Sequence, residues 1–196
     1  MILPIVAYGD PVLRKVAKDL PKEYSKLDEL ISNMWETMYS ANGVGLAAPQ
    51  IGLPIRLFLV DTSPFADDED LSVEDRKALK GFKRAFINAR IEEESGEEWA
   101  FNEGCLSIPD VREDIKRKGT IKITYVDENF KSHSEEFSGL LARVIQHEYD
   151  HIEGILFTDK LSPLKKRLLK GKLTNISKGN IIVDYRMRFP NIKKAR

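Results

Sequence analysis

Apolar side chains recur at the spacing of an amphipathic helix in two long stretches of the chain. The first covers about residues 22–41, and Asn42 with Gly43 would end the helix. The second begins after Ser138, a residue type that caps helices, and ends near Gly154. A shorter basic helix is predicted over residues 163–172. The two apolar faces comprise Leu27, Leu30, Ile31, Met34, Trp35, Met38 and Tyr39, and Leu140, Leu141, Val144, Ile145 and Ile152.

Alternating apolar and polar residues predict β-strands in the middle of the chain and at its two ends. Turn residues near position 128 indicate a hairpin between the strands predicted at 120–127 and 133–137. The predicted class is α+β, with largely antiparallel β-sheets around a buried central helix, the one that follows Ser138. The strands are predicted within residues 1–10 and at 55–61, 85–91, 120–127, 133–137 and 181–189.

The chain contains no internal repeat or Pro/Gly-rich linker, so we predict one domain over residues 1–196. Charge is uneven although the formal net charge is zero. Residues 67–80 are predicted as an exposed acidic insertion that carries a short helix. Residues 160–196 contain twelve basic side chains and one acidic one. A solvated lysine-rich surface is favoured over a polyanion-binding one, and nothing indicates specific binding of DNA.

Cys105 is the only cysteine, so no disulfide can form within the chain. This fits a reducing compartment and directs attention to metal or thiol chemistry. The first ten residues lack the basic region and long apolar run of a signal peptide. No stretch is long and apolar enough to cross a membrane. We therefore expect a cytoplasmic protein without a membrane partner.

His147, Glu148 and His151 form an HExxH pattern inside the second predicted helix. Residues four apart share a helix face, so both imidazoles can reach one ion, and the glutamate can hydrogen-bond a water on it. The alternative is two surface histidines that match the pattern by accident. The apolar residues that precede the motif favour the metal site, since a surface helix would carry fewer of them.

A catalytic metal site usually has three protein ligands and an open position. No downstream ligand of the kind that zincin proteases use follows the motif, because Glu153 lies too close to fold back. His133 is predicted in a hairpin turn at the surface. The remaining soft ligand is Cys105, which is flanked by Glu103 and Gly104, although a lone cysteine is more often a small core residue.

A third unusual segment spans residues 43–52, where two glycines at alternate positions permit close backbone approach. Gln50 could donate a side-chain hydrogen bond into a site. The segment lacks the Gly-Lys-Ser/Thr of a phosphate-binding loop, and a loop packed tightly on a neighbour is the alternative.

Together and in this order, these segments resemble the peptide deformylases, which are marked by GxGxAAPQ, EGCxS and HExxH. Here they are residues 43–50, 103–107 and 147–151, and the likeness extends from Gly139-Leu-Leu-Ala to Leu161-Ser-Pro163. It implies a hydrolase that removes the N-formyl group from the initiator methionine of nascent polypeptides and releases formate. The implied partners are N-formylmethionyl nascent peptides.

The resemblance also implies one divalent metal ion, natively Fe²⁺, with Zn²⁺, Ni²⁺ or Co²⁺ able to substitute. The implied metal ligands are Cys105, His147 and His151, and Glu148 is the implied acid–base residue. The Gln50 amide and the Leu106 backbone N–H are the implied donors to the formyl oxygen. The implied substrate-binding residues are Gly45, Val44, Phe101, Gly104, Leu140 and Val144.

In the implied mechanism the metal lowers the pKa of its water, Glu148 takes the proton, and hydroxide attacks the formyl carbon. Glu148 then protonates the departing amine. An extended peptide would lie beside residues 43–45, and the enzyme would show weak specificity for side chains beyond the first. We further expect Glu103 and Asp150 to orient the site, with Arg112 or Arg117 as their partner.

The chain departs from the commonest pattern of these enzymes at three places. These are the insertion at 67–80, Arg143 at a position where an apolar pocket residue is often found, and a terminal strand in place of one longer helix. In relatives the chain end contacts the ribosome, and the basic segment 160–196 could do the same here. The rival hypotheses are an HExxH peptidase and a non-catalytic metal-binding module. The first leaves Cys105 unexplained, and the second would need a fourth ligand.

Overall fold

A five-stranded sheet dominates the computed structural model, which describes residues 1–69 and 71–190. Its strand order is β2-β3-β4-β5-β6, and every neighbouring pair is antiparallel. β1 and β7 form a separate parallel pair that joins the two ends of the described chain. The strands are β1 Ile5–Val6, β2 Gly45–Ala47, β3 Leu57–Asp61, β4 Lys83–Cys105, β5 Ile108–Val126, β6 Ser132–Ser138 and β7 Met187–Arg188.

The described residues form four α-helices, of which α3 lies at the centre. None of its residues is fully exposed, and its apolar side chains pack in one core cluster with residues of the sheet such as Phe58 and Phe86. The predicted α+β class, with antiparallel strands around a buried helix, is confirmed. The helices are α1 Leu27–Ser40, α2 Val73–Leu79, α3 Gly139–Ile152 and α4 Pro163–Ser177.

The strands predicted at 85–91 and 120–127 are parts of a much longer hairpin formed by β4 and β5. Shifts of register at several places bend this hairpin along its length. Its two strands close on each other at the pair Cys105 and Ile108, so Leu106 and Ser107 form a two-residue turn. This turn carries one of the predicted metal ligands.

Several predicted boundaries are wrong. α1 begins at Leu27 because Lys26 adopts a left-handed backbone with φ of 60°. α4 continues to Ser177, five residues beyond its predicted end. The strand predicted at 181–189 pairs only at Met187–Arg188, since its partner β1 has just two residues.

The acidic segment at 67–80 contains α2, as predicted, and its Leu79 is buried. Asp70 lies outside the described residues, and so do residues 191–196 of the basic segment. Among the described residues, no helix combines the length and apolar character needed to span a membrane.

Candidate metal centre and active-site cleft

His147 and His151 lie on one face of α3, as their four-residue spacing predicts. His151 is only 1% exposed. The Sγ atom of Cys105 lies 3.2 Å from His151 Nε2. One donor atom from each of Cys105, His147 and His151 lies within 4.8 Å of the other two. The structure therefore brings together the three predicted ligands from two distant parts of the chain.

The donor set of this cluster fits a divalent transition metal. Two imidazoles and a thiolate suit zinc or ferrous iron, and three protein ligands leave a position open. His147 Nδ1 hydrogen-bonds Glu103 at 2.9 Å, which leaves Nε2 as the nitrogen for a metal. Burial opposes a charge on His147, yet Cys105 and Glu103 raise its pKa to about 10. The surroundings of His147 thus favour its charged form, whereas burial and the neighbouring His147 lower the pKa of His151 well below its usual value.

Cys105 is the last residue of β4 and is held in place through the turn that follows it. The Ser107 carbonyl accepts a hydrogen bond from the Tyr8 N–H at 2.8 Å. The Leu106 carbonyl accepts one from the Tyr185 hydroxyl at 2.7 Å. A Cβ added to Gly43 would lie 2.8 Å from Leu106 Cδ1, so the Leu106 side chain packs closely there. Three distant segments therefore fix this turn.

A buried network of charges orients His147. Arg117 donates to both Glu103 oxygens at 2.7 and 2.9 Å and to Asp150 at 2.6 Å. Since a carboxylate only accepts, His147 donates its Nδ1–H to Glu103. Burial works to raise the pKa of Glu103, but Arg117 and His147 hold it well below its usual value. Arg117 thus links the two carboxylates that we expected to orient the site.

The alternative prediction, that Arg112 is the partner of those carboxylates, is wrong. It donates to the Asn102 side chain and carbonyl at 2.8 and 2.6 Å. A Cβ added to Gly104 would lie 2.7 Å from an Arg112 nitrogen, so Gly104 leaves room for this arginine across the hairpin. Arg112 therefore stays at the rim and the charged network below it depends on Arg117.

The Glu148 carboxylate is buried beside the cluster, between the two histidines along α3. Burial is the main cause that raises its pKa to about 7. Its Oε2 has no hydrogen-bond partner among the described residues. A Cβ added to Gly45 would lie 2.4 Å from Glu148 Oε1, so only glycine leaves space for this carboxylate. A carboxyl group so placed can accept and return a proton near neutral pH.

The Gln50 side chain has a fixed direction. Its Oε1 accepts a hydrogen bond from the Ala47 N–H at 2.8 Å. Its Nε2 consequently faces Cys105 Sγ at 3.5 Å and Ser107 Oγ at 3.4 Å. Gln50 therefore presents an N–H donor to the cluster of Cys105, His147 and His151, as its sequence segment predicted.

A cleft of about 680 Å³ opens onto the cluster. His151 lies behind it, and Leu140 is buried in the core rather than among the lining residues. The other predicted site residues line the cleft: Val44, Gly45, Gln50, Phe101, Gly104, Cys105, Leu106, Val144, His147 and Glu148.

Arg143 contributes a buried cation to the cleft wall instead of an apolar side chain. It is 1% exposed and donates to the carbonyls of Trp99 at 2.6 Å and Ile115 at 2.9 Å. It also lies 3.2 Å from Glu103, and its guanidinium stacks 4.4 Å from the Trp99 ring centroid. Arg143 thus ties α3 to both strands of the long hairpin.

The sequence did not indicate that residues 182–185 line the cleft. Alternation predicted their extended backbone, but their path depends on the distant pairing of β7 with β1. His133 lies in β6 rather than in a turn, where it bonds Asp127 at 2.8 Å and stacks on Tyr125. It does not belong to the group of candidate metal ligands, as expected.

Comparisons with known proteins agree with this geometry. Residues 2–167 match the Polypeptide deformylase family. The peptide deformylase of Christiangramia forsetii is 68% identical over 196 residues, which cover 100% of both chains. The crystal structure of a peptide deformylase from Legionella pneumophila has a TM-score of 0.76 and 36% identity, and the match covers 92% of this chain and 98% of that one. The chain therefore belongs to the polypeptide deformylase family.

Proposed function

We propose that the protein is a peptide deformylase, which removes the N-formyl group from the initiator methionine of nascent polypeptides and releases formate. The observation that carries this proposal is the cluster of Cys105, His147 and His151 beside the buried Glu148, at a cleft that can admit a peptide end. Membership of the polypeptide deformylase family supports the same reaction.

Glu148 is the group that moves the proton in this proposal. A bound divalent metal would lower the pKa of a coordinated water and polarise the formyl oxygen. The Glu148 carboxylate takes the proton that the water loses and then gives it to the nitrogen of the departing amine. The formyl C–N bond breaks, and the products are formate and a free amino terminus. The unpartnered Oε2 supports this role, because it is free to hydrogen-bond a water.

Gln50 and Leu106 supply the proposed donors to the oxygen that gains negative charge. The Gln50 amide is already turned toward the cluster by its bond from Ala47. The Leu106 N–H follows Cys105 directly in the hairpin turn. Donors that are fixed before the reaction stabilise developing charge without reorganisation.

The proposed peptide site uses the free edge of the sheet. β2 is an outer strand of the five-stranded sheet, so the backbone of Gly45 can pair with an extended substrate. Main-chain hydrogen bonds do not distinguish side chains, so selectivity beyond the first residue should be weak. We assign the methionine pocket to Val44, Phe101, Gly104 and Val144, with Leu140 behind them.

We propose Fe²⁺ as the native metal, with Zn²⁺, Ni²⁺ or Co²⁺ able to replace it. One thiolate and two imidazoles form a donor set that all of these ions accept. Because a ferrous ion beside a thiolate is vulnerable to oxygen, the iron form should lose activity in air while the nickel form retains it.

We also propose that residues 1–196 form one catalytic domain, with an exposed acidic insertion at 67–80. The basic segment at 160–196 is assigned to a contact with the ribosome, supported by the basic side chains of α4. Such an enzyme would act in the cytoplasm, without a membrane partner or specific binding of DNA.

The deciding experiment measures formate and free amine from a formyl-Met tripeptide, with protein purified without oxygen and analysed for metal. Equal amounts of both products, dependent on metal, are expected. An unformylated peptide of the same sequence serves as the control for the rival peptidase activity. Cleavage of internal peptide bonds, or no formate from metal-loaded protein, would contradict the proposal.

A further inference from the structure

The turn that carries the proposed Leu106 donor has little regular structure of its own. Leu106 and Ser107 connect β4 to β5 at the end of the long hairpin, where no further strand pairing follows. A donor in an active site must stay within about 0.5 Å of its productive position. Groups outside the hairpin must therefore restrain Leu106.

The chain returns to this turn in a C-terminal strap, which we define as residues 181–186. Residues 182–185 of the strap line the active-site cleft, and Ile182 is 92% exposed at its edge. The strap is anchored at its far end, where the Arg186 carbonyl accepts from the Ile5 N–H at 2.9 Å. Its near end is anchored by Ile181, which packs on the core cluster that includes Ile176 of α4.

Tyr185 is the residue by which the strap reaches the turn. Its ring packs against the apolar cluster that contains Met38 of α1 and Leu46 of β2. Its hydroxyl donates to the Leu106 carbonyl at 2.7 Å. On the other side, Leu106 Cδ1 lies close to Gly43. Leu106 is thus held through both its carbonyl and its side chain.

We propose that Tyr185 is a positioning residue that aims the Leu106 N–H at the reacting formyl oxygen. Fixing the Leu106 carbonyl restrains the backbone on one side of its Cα, and Cys105 restrains it on the other. The C-terminal strap is then part of the catalytic apparatus, although Tyr185 itself touches no substrate. This inference rests on the proposed deformylase function, because the donor matters only if charge develops on that oxygen.

The test compares Tyr185→Phe with Tyr24→Phe. Each variant loses one hydroxyl from a tyrosine that packs on the same apolar cluster. The Tyr24 hydroxyl has no hydrogen-bond partner within the part of the chain that the structure describes. Steady-state kinetics on a formyl-Met tripeptide give kcat and KM, and ¹⁵N NMR relaxation gives the order parameter of the Leu106 N–H in metal-free protein.

Tyr185→Phe should lower kcat about tenfold, part of the hundredfold or more that a lost oxyanion donor costs, with KM within about twofold. Losing the bond to its carbonyl should loosen the turn, so the order parameter of the Leu106 N–H should fall from about 0.85, the value of a rigid backbone, toward the values below about 0.6 that flexible segments show. Tyr24→Phe should match the wild type in both measurements. An unchanged kcat, or an unchanged Leu106 order parameter, would overturn the positioning role. Wild-type protein that releases no formate would instead refute the proposed function, and the order parameter would still test the restraint.

Discussion

Gly45→Ala adds one methyl group at the point where β2 meets the proposed acid–base residue. The added Cβ would lie 2.4 Å from Glu148 Oε1, 2.6 Å from its Cδ and 2.7 Å from its Cγ. Gly45 is not among the glycines with positive φ, so alanine can adopt its backbone conformation. The substitution therefore tests the space beside the Glu148 carboxylate rather than backbone strain.

The size of the effect follows from these distances. Ordinary van der Waals contact begins at 3.4 Å, so the carboxylate must move by about 1 Å. Most of α3 is buried and none of its residues is fully exposed, so we expect the Glu148 side chain to rotate away rather than the helix to shift as a whole. A misplacement of about 1 Å at a reacting group can cost about a hundredfold in rate. Overpacking of this kind typically costs about 1–3 kcal/mol of stability.

The assay is steady-state formate release by metal-loaded protein, together with denaturant unfolding. Gly45→Ala should lower kcat about a hundredfold while the bound metal stays at one ion per chain. A rise in KM would show that the added methyl group obstructs the cleft. A fall in kcat would show that the Glu148 carboxylate is displaced. Gly171→Ala in α4 is the matched control, because nothing lies within 4 Å of its added Cβ. It should leave activity unchanged and stabilise by about 0.5–1 kcal/mol.

A Gly45→Ala variant with kcat within threefold of the wild type would refute this reasoning. The Glu148 carboxylate would then either tolerate displacement or take no part in the reaction. Loss of bound metal in Gly45→Ala would also count against it, since the methyl group is directed at Glu148 and not at a ligand.

Three further predictions concern the metal cluster and its support. Glu148→Gln should bind metal normally but lose roughly a hundredfold to ten-thousandfold in kcat, measured with metal analysis on the same sample. Cys105→Ser should lose its metal during dialysis under conditions in which the wild type keeps it. The reason is that the thiolate is one of only three proposed protein ligands. Glu103→Gln should weaken metal binding roughly 10–100-fold and destabilise the metal-free protein by about 3–5 kcal/mol, because Arg117 is left partly uncompensated. The folded-state pKa of Glu103 is lowered, so its contribution is present above its unfolded value of 4.5 and should fade as the pH drops below it.

Each of these predictions has a result that would contradict it. For Glu148→Gln it is near-normal turnover at full metal occupancy. For Cys105→Ser it is unchanged metal content with full activity. For Glu103→Gln it is a stability difference from the wild type that stays constant between pH 7 and acid, because a constant difference would mean that the Glu103 charge carries none of it.

The centre of the fold follows from local sequence patterns. The spacing of His147 and His151 fixes a shared helix face, and the apolar residues ahead of them bury that face. Cys105 is different, because no local pattern determines that a hairpin end reaches a helix far along the chain. Its proximity to His151 was an expectation from family resemblance, and the structure gives it a physical basis in the contacts that hold the turn.

Other features of the site depend on tertiary structure alone. Arg143 is a charged residue that local rules place at a surface, yet the two strands of the long hairpin enclose it and supply carbonyl acceptors. The acidic run at residues 92–98 hides the continuation of β4, because exposed glutamates lack the apolar alternation of a half-buried strand. Tyr185 reaches the cleft only because β7 pairs with β1.

X-ray absorption on zinc-loaded protein tests most directly whether Cys105, His147 and His151 hold one metal ion with a position open to water. The account predicts one sulfur neighbour at about 2.3 Å, two imidazole nitrogens at about 2.0–2.1 Å and one further light atom. In Cys105→Ser protein that still holds zinc, the sulfur signal should disappear. A wild-type spectrum without sulfur, or with four protein ligands and no solvent position, would contradict the account.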